Sequence, residues 1–409
     1  MTISTTSAPA SASVARFPLR ALLILSFGVL VTVTAESLPA GLMPEMSADL
    51  GVPPLQIGLL ISVWAVTVII TSIPLARATA RIDRRLVIGV SLAIFALANV
   101  ATAFAPVYGF ALAARVAAAM AHGVFWAVVI VYASALLTPS HLGRGLAIVT
   151  AGGTAATVVG LPLATVLAQA WGWRITFVAL GAVALVVGAV VLRGMPRHVP
   201  VAPSAEARAG GFWRDPSLPA LAAFGAAAIL IAVAQFASFT YIRPYLEISA
   251  SIESSWAAVL LFVYGAAGMV GVVVAGFLAD RFPRAALTAI LVLFVAVFTV
   301  LTVAAASIVA VVAALVVWGF ALGAMFPLLQ TTLMRVSTER TRTLASAGIV
   351  VLFNIGIAVG PWLGGVTGGD TSPTATTAVS ASAMLVATAV GLVGLVLSGR
   401  RLRPDAHSG

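Results

Sequence analysis

Twelve runs of about twenty or more apolar residues, separated by short polar breaks, leave this chain very little choice of fold. The runs cover 19–43, 55–76, 86–105, 108–137, 145–168, 174–195, 218–245, 255–279, 285–304, 307–334, 343–366 and 375–398. Each is continuous in hydrophobicity and does not alternate, so helices are expected and not the strands of a barrel. Of the 409 residues, 61% are hydrophobic and 8% charged, with a mean hydropathy of +1.14. A soluble chain would be about a quarter charged. The expectation is an all-α, multi-pass membrane protein.

The breaks between runs set the orientation. All basic residues are arginine, and of the 22 only Arg115, Arg174 and Arg243 fall outside one alternate set of loops. That set comprises 1–18, 77–85, 138–144, 196–217, 280–284, 335–342 and 399–409, with Arg20 and Arg193 at adjoining run ends. The opposite loops hold no arginine but carry Glu45, Asp49, Glu247, Glu253 and Asp370. Arginine marks the cytoplasmic side, so both termini are expected there. A net charge of +10 could suit nucleic acid. Here it is spread over every inner loop and forms no patch, so no nucleic-acid partner is expected.

Residues 1–18 are expected to be a cytoplasmic tail, and a signal peptide is not expected, because the first apolar run is too long. The longest inner loop, 196–217, splits the chain into six runs (19–195) and six runs (218–398), followed by a tail over 399–409. Features recur at an offset of about 200 residues, as in internal repeats that rock against each other. AlaArgAlaThrAlaArgIleAspArgArg (76–85) answers GlyPheLeuAlaAspArgPheProArg (276–284), and GlyLeuPro (160–162) answers GlyPro (360–361).

Polar residues inside the runs are the candidate working parts, because lipid does not tolerate them. In the fourth run, Arg115, Ala119, His122 and Trp126 fall on one helical face. Glu36 lies well inside the first run, roughly 7 Å outward of its centre at 1.5 Å per residue. A membrane-buried acid is a candidate proton carrier, against the alternative of a structural acid bonded to a neighbour. His122 could relay protons or donate to a hydroxyl, or simply bond a carbonyl on another helix. Arg115 could pair with substrate or with Glu36, or be a brace held by backbone carbonyls. Trp126 and Tyr241 offer flat faces with a polar handle, suited to a sugar ring, where packing is the plainer reading. Gln235 and Asn354 could bond substrate hydroxyls, or glue helices together. Gly360 with Pro361, and Gly160 with Pro162, suit close helix contact or bending.

GlyPheLeuAlaAspArg (276–281) resembles the inner-loop signature of the major facilitator superfamily. The glycine run from Gly356 through Gly360 and Pro361 to Gly364 and Gly365 resembles its antiporter signature. Further stretches are similar to bacterial sugar efflux transporters, over about residues 17–400. They are ThrAlaGluSerLeuProAlaGlyLeu (34–42), AlaHisGlyValPheTrp (121–126), GlyLeuProLeu (160–163), GlyTrpArgIleThrPhe (172–177), TyrIleArgPro (241–244) and PheAsnIleGlyIle (353–357).

The resemblance implies a major facilitator fold of two pseudo-symmetric six-helix bundles. It implies proton-coupled efflux of a small solute by alternating access, with a sugar or glycoside expected first and a multidrug or chloramphenicol-type antiporter as the alternative. It further implies proton coupling through Glu36, His122 and Arg115, gating through Arg81, Asp83, Asp280, Arg281, Gly360 and Pro361, and residence in a bacterial cytoplasmic membrane. The sequence departs from the pattern at Ala80, where an acid is expected and Asp83 is the nearest substitute, at Ala119 in place of glycine, and at Arg243 in place of an acid.

A phosphate-binding loop would need GxxxxGK[ST], and the chain has no lysine, so ATP drive is not expected. The four histidines, at 122, 141, 198 and 407, are too dispersed for a metal site, and no cofactor is expected. A membrane-embedded enzyme would need a clustered constellation in its loops, and a receptor a long soluble domain; neither pattern is present. Solute, protons and lipid are the expected partners of a monomer.

Overall fold

The computed structural model describes residues 17–137, 142–197, 215–369 and 371–399. Most of the linker, most of the N-terminal tail, nearly all of the C-terminal tail, and His141, His198 and His407 therefore lie outside the described residues. Twelve helical crossings are present. Spans 1 to 4 are Leu19–Gly41, Pro54–Ala78, Arg84–Ala103 and Tyr108–Ala135. Span 5 is composite: Leu142–Ala155, a π-turn over Ala156–Gly160, then Leu161–Trp171. Span 6 is Trp173–Gly194, span 7 Leu218–Phe239, span 8 Ala257–Arg281 and span 9 Pro283–Val303. Spans 10 to 12 are Ile308–Val336, Glu339–Val366 and Pro373–Leu397. Eleven crossings are long and apolar enough to traverse a membrane over their described residues; in span 11 the apolar described part is Val351–Val366.

Helix pairing repeats between the halves. Spans 1 and 5, 2 and 4, 3 and 4, and 3 and 6 pack together in the first lobe; 7 and 11, 8 and 10, 9 and 10, and 9 and 12 pack in the second. The lobes meet through spans 2 and 11 and through spans 5 and 8, two contacts exchanged by the same pseudo-symmetry.

Glycine makes the tightest pairings possible. A Cβ at Gly360 would stand 2.8 Å from Phe236 Cβ and 2.9 Å from the Val233 carbonyl oxygen of span 7. The glycine signature in span 11 is thus a flat face pressed on span 7. Gly152 and Gly160 of span 5 face span 1 in the same way, against Ser26 and Thr34.

Beyond shifts of a few residues at span ends, two features differ from the sequence expectation, both for reasons tied to proline. Span 7 was expected to run to residue 245, but it ends at Phe239. The chain then turns through Tyr241 into a short helical turn, Ile242–Pro244, and a π-turn, Tyr245–Ser249. Pro244 brings no N–H to a continued helix. Span 5 changes register at its π-turn just ahead of Pro162, where the same donor is missing. A short helix, Met43–Leu50, also forms where a loop was expected; Gly51 closes it at φ 64°, in the left-handed region.

The terminus-bearing end and the opposite, far end differ in construction. At the far end, Arg174 of span 6 accounts for three elements at once. It pairs with Asp49 at 2.9 Å and donates to the carbonyls of Ala103 at 2.6 Å and Ala105 at 3.0 Å, while Trp173 Nε1 donates to Asp49 at 2.8 Å. The GlyTrpArg motif is therefore a staple across the far-end loops of the first lobe.

Candidate functional site: a half-buried carboxylate behind an interlobe cavity

Span 1 organises the site. Its GluSerLeuPro stretch places a proline four residues after Ala35, so the Ala35 carbonyl has no intrahelical donor. Arg115 of span 4 supplies one. Its Nη1 donates to Ala35 O at 2.8 Å and its Nη2 to Glu36 O at 3.1 Å. The guanidinium is fully buried and lies 4.2 Å above the ring of Trp64. Of the roles open to Arg115 in the sequence, the geometry is that of a brace on backbone carbonyls, with the carboxylate of Glu36 close at hand.

The expected face of span 4 points inward. Arg115, Ala119 and His122 are buried and Trp126 is half-buried. His122 Nε2 stands 3.7 Å from Glu36 Oε2, outside hydrogen-bond distance and within ion-pair distance when the imidazole is charged. The Glu36 side chain keeps 17% of its surface accessible. His122 Nδ1, Arg115 Nε and Trp64 Nε1 are buried without a hydrogen-bond partner among the described residues.

Trp64 is the residue that the sequence reading missed. It is fully buried in span 2 and lies edge-on to His122 at 5.2 Å and to Phe95 at 6.2 Å. A tryptophan in the middle of a span, away from the interfaces where it is usual, is the signal that could have found it. Trp64→Phe should keep the fold and, because the phenyl ring still lies under the guanidinium, cost less than the ~2 kcal/mol worth of a desolvated cation–π contact. Trp64→Ala should cost about 3–5 kcal/mol through the cavity it leaves. Thermal unfolding of the detergent-solubilised variants checks both values.

In front of span 1 lies a small cavity between the lobes, about 70 Å3 in volume. Val33 and Ser37 of span 1 line it, with Ala156, Thr157 and Leu161 of span 5, Gln235, Phe236 and Phe239 of span 7, Tyr264 of span 8 and Leu322 of span 10. The π-turn therefore forms part of the wall. Span 8 packs closely against it, since a Cβ at Gly265 would sit 2.6 Å from Val158 Cα and 2.8 Å from the Thr157 carbonyl oxygen.

The sequence-predicted binding residues separate. Gln235 is on the cavity wall, but its amide is engaged: it donates to the Tyr264 hydroxyl at 2.9 Å and accepts from Trp318 Nε1 at 2.6 Å. Phe239 stacks on Tyr264 at 5.3 Å beside them. Trp126 sits 6.3 Å from His122, beside the Glu36–His122 pair in the first lobe. Asn354 is half-buried in span 11, two residues before Gly356. Tyr241 stands apart from the others, fully buried in a far-end cluster with Leu38, Leu42 and Ile57 of the first lobe. Its hydroxyl donates to Pro361 O at 2.9 Å, and its ring fills the seam left by Gly58, Gly365 and Gly369. That placement makes Tyr241 part of a seal.

The gating candidates lie as follows. Arg81 is exposed in the turn before span 3, and Asp83 caps that span by accepting from the Arg85 amide at 2.9 Å. Asp280 lies near the end of span 8, its side chain outside the described residues. Arg281 is exposed above the Phe282 ring at 5.7 Å. Gly360 and Pro361 belong to the span 7 contact and the Tyr241 seal. Among the described residues no group of three or more His, Cys, Asp or Glu could hold a metal ion.

The pairing of six helices with six about a central cavity is that of a membrane transporter. The sequence agrees: residues 25–336 and 235–408 match the family profile of the Major Facilitator Superfamily, and the chain belongs to that family. It is 31% identical over 383 residues to a chloramphenicol efflux pump of Mycobacterium tuberculosis strain CDC 1551, covering 92% of this chain and 90% of that one. It is 27% identical over 349 residues to a Mannheimia succiniciproducens protein named "Probable sugar efflux transporter", covering 84% and 85%. In fold it is similar to a mutant form of the nucleoside transporter NupG, with a TM-score of 0.75 at 15% identity, covering 92% of this chain and 99% of that one. It is also similar to an inward-facing bacterial homologue of the lysosomal transporter Spinster, at 0.67 and 18%, covering 94% and 97%. The protein is an efflux transporter of the major facilitator superfamily.

Proposed function

We propose that this exporter is driven by protons and carries a small neutral solute by alternating access, as a monomer in a bacterial cytoplasmic membrane with both termini inside. One observation carries the reading: Glu36 and Ser37 are consecutive on span 1, yet Ser37 lines the interlobe cavity while Glu36 turns to His122 and the Arg115 brace. Successive helical residues are about 100° apart, so one helix presents a solute wall on one side and an ionisable group on the other. Loading either side can then bias the same rigid element.

The cavity wall favours an amphipathic solute with a flat apolar face. Leu161, Phe236, Phe239 and Leu322 dominate it, and the Gln235 amide is already bonded within the protein. A phenyl-bearing drug such as chloramphenicol fits that chemistry, in keeping with the Mycobacterium relative. A sugar or glycoside is the second reading, supported by the hydroxyls of Ser37 and Thr157 on the wall and by the Mannheimia relative.

Everted vesicles with a preset pH gradient distinguish the two. Chloramphenicol is expected to dissipate the gradient, and arabinose or IPTG to do so weakly or not at all. Dissipation by the sugars alone reverses the choice of solute, and dissipation by none of them removes proton coupling to this solute set.

A further inference from the structure

Arg243, in the turn between span 7 and Pro244, has a 1% exposed side chain at the far end of the molecule. A guanidinium carries five N–H donors, and all five are used here. Nε and Nη2 donate to Glu247 Oε1 at 3.1 and 2.8 Å, and Nη2 donates to Ser254 Oγ at 2.7 Å. Nη1 crosses to the first lobe, donating to the Gly41 carbonyl at 2.9 Å and to Glu45 Oε1 at 3.1 Å. Ser254 also donates to Glu247 Oε1 at 2.9 Å, so arginine, acid and serine form a closed triangle inside the second lobe.

We propose that Arg243 and Glu45 are the lock between the lobes at the far end, and that its release controls opening there. The two halves of the lock are built differently. Arg243 keeps three of its five bonds when the lobes part, because their acceptors belong to its own lobe. Glu45 keeps none of the bonds recorded for it. One of its oxygens meets Arg243, and the other is buried without a donor among the described residues. Its carboxylate is therefore held in the closed seam by Arg243 alone, and it recovers full solvation once the seam opens. Asp49 on the same short helix does not compete for Arg243, since it is bound by Arg174 and Trp173 within the first lobe. The arrangement favours the closed far end without trapping it. Arg243 and Glu45 act here as positioning residues that set the balance between the two ends of the transport cycle. The inference needs the lobes to rock, but neither proton coupling nor the identity of the solute.

The chain has no cysteine, so a single introduced thiol reports without background. Ile57→Cys places one in the sealed far-end cluster shared with Tyr241, at a position that is 0% exposed. Its maleimide labelling is measured in proteoliposomes with no solute and no gradient. Leu25→Cys, buried in the core of the first lobe, serves as the reference thiol. Adding Glu45→Ala is expected to speed labelling of Cys at 57 about tenfold, on the scale of one lost charge-assisted bond, while the rate at 25 stays unchanged. Glu45→Gln, which keeps an acceptor but not the charge, is expected to fall between. An unchanged rate at 57 overturns the lock, and so does an equal rise at both positions, which would mean general loosening. Should Ile57→Cys itself disturb the seam, Leu38→Cys in the same cluster gives the same readout.

Discussion

Glu36→Gln is expected to abolish solute-dependent proton movement in everted vesicles while leaving exchange of labelled for unlabelled solute within about twofold of the parent. The amide keeps the size of the carboxyl but removes the ionisable site. It should not disturb the fold, because Arg115 is anchored on the backbone carbonyls of Ala35 and Glu36 and makes no hydrogen bond to the carboxylate. Moving one charge through 100 mV supplies ~2.3 kcal/mol, about fifty-fold in a concentration ratio, so the variant should lose accumulation of roughly that size. Accumulation at the parent level in Glu36→Gln vesicles would remove Glu36 from the coupling. The same exchange assay separates this from simple damage, since a misfolded protein loses exchange as well.

Gly323→Val is expected to have the largest effect on folding. Spans 8 and 10 cross in backbone contact: Gly319 lies against Tyr264, Gly323 against Gly268, and Gly271 against Phe320. A side chain at 323 would meet the Gly268 carbonyl and Cα, which cannot rotate out of the way as a side-chain tip can. Overpacking typically costs about 1–3 kcal/mol, and a rigid backbone neighbour puts this site at or above the top of that range. The yield of folded protein in detergent and its unfolding temperature should both fall sharply. Gly276→Ala is the matched control. Although Gly276 opens the inner-loop signature, no atom lies within 4 Å of a Cβ added there, and the substitution should leave stability within about 0.5 kcal/mol. Equal behaviour of the two variants would contradict the close crossing of spans 8 and 10.

Much of the site was legible before any coordinates. The spacing of Arg115, His122 and Trp126 put them on one face of span 4, and Glu36 stood out as an acid within an apolar run. Both are consequences of lipid excluding unpaired polar groups. The meeting of Glu36 with His122, at a sequence distance of 86 residues, was open in the sequence because periodicity orients a residue on its own helix and says nothing about which helix it faces. Trp64 escaped notice because, among apolar neighbours, a buried tryptophan reads as packing until the arginine above it is seen. Tyr241 was grouped with substrate ligands on its chemistry. What it lacks is access, since glycines on two neighbouring spans let its ring sink into the far-end seam.

Arg243 shows the same division most plainly. In the sequence it was a departure from a family pattern and one of three arginines outside the inner loops. Its own lobe supplies Glu247 and Ser254 for three of its donors, and only the docking of the other lobe brought the Gly41 carbonyl and Glu45 within reach of the remaining two. The sequence by itself determined the twelve crossings, the twofold repeat and which side chains could not face lipid, because hydrophobic length and helical period are local properties that a bilayer enforces strictly. The tertiary structure decided which polar groups share a cavity, which brace a helix and which hold the lobes shut. Those roles depend on contacts between segments far apart in the chain, and single-helix periodicity carries no information about them.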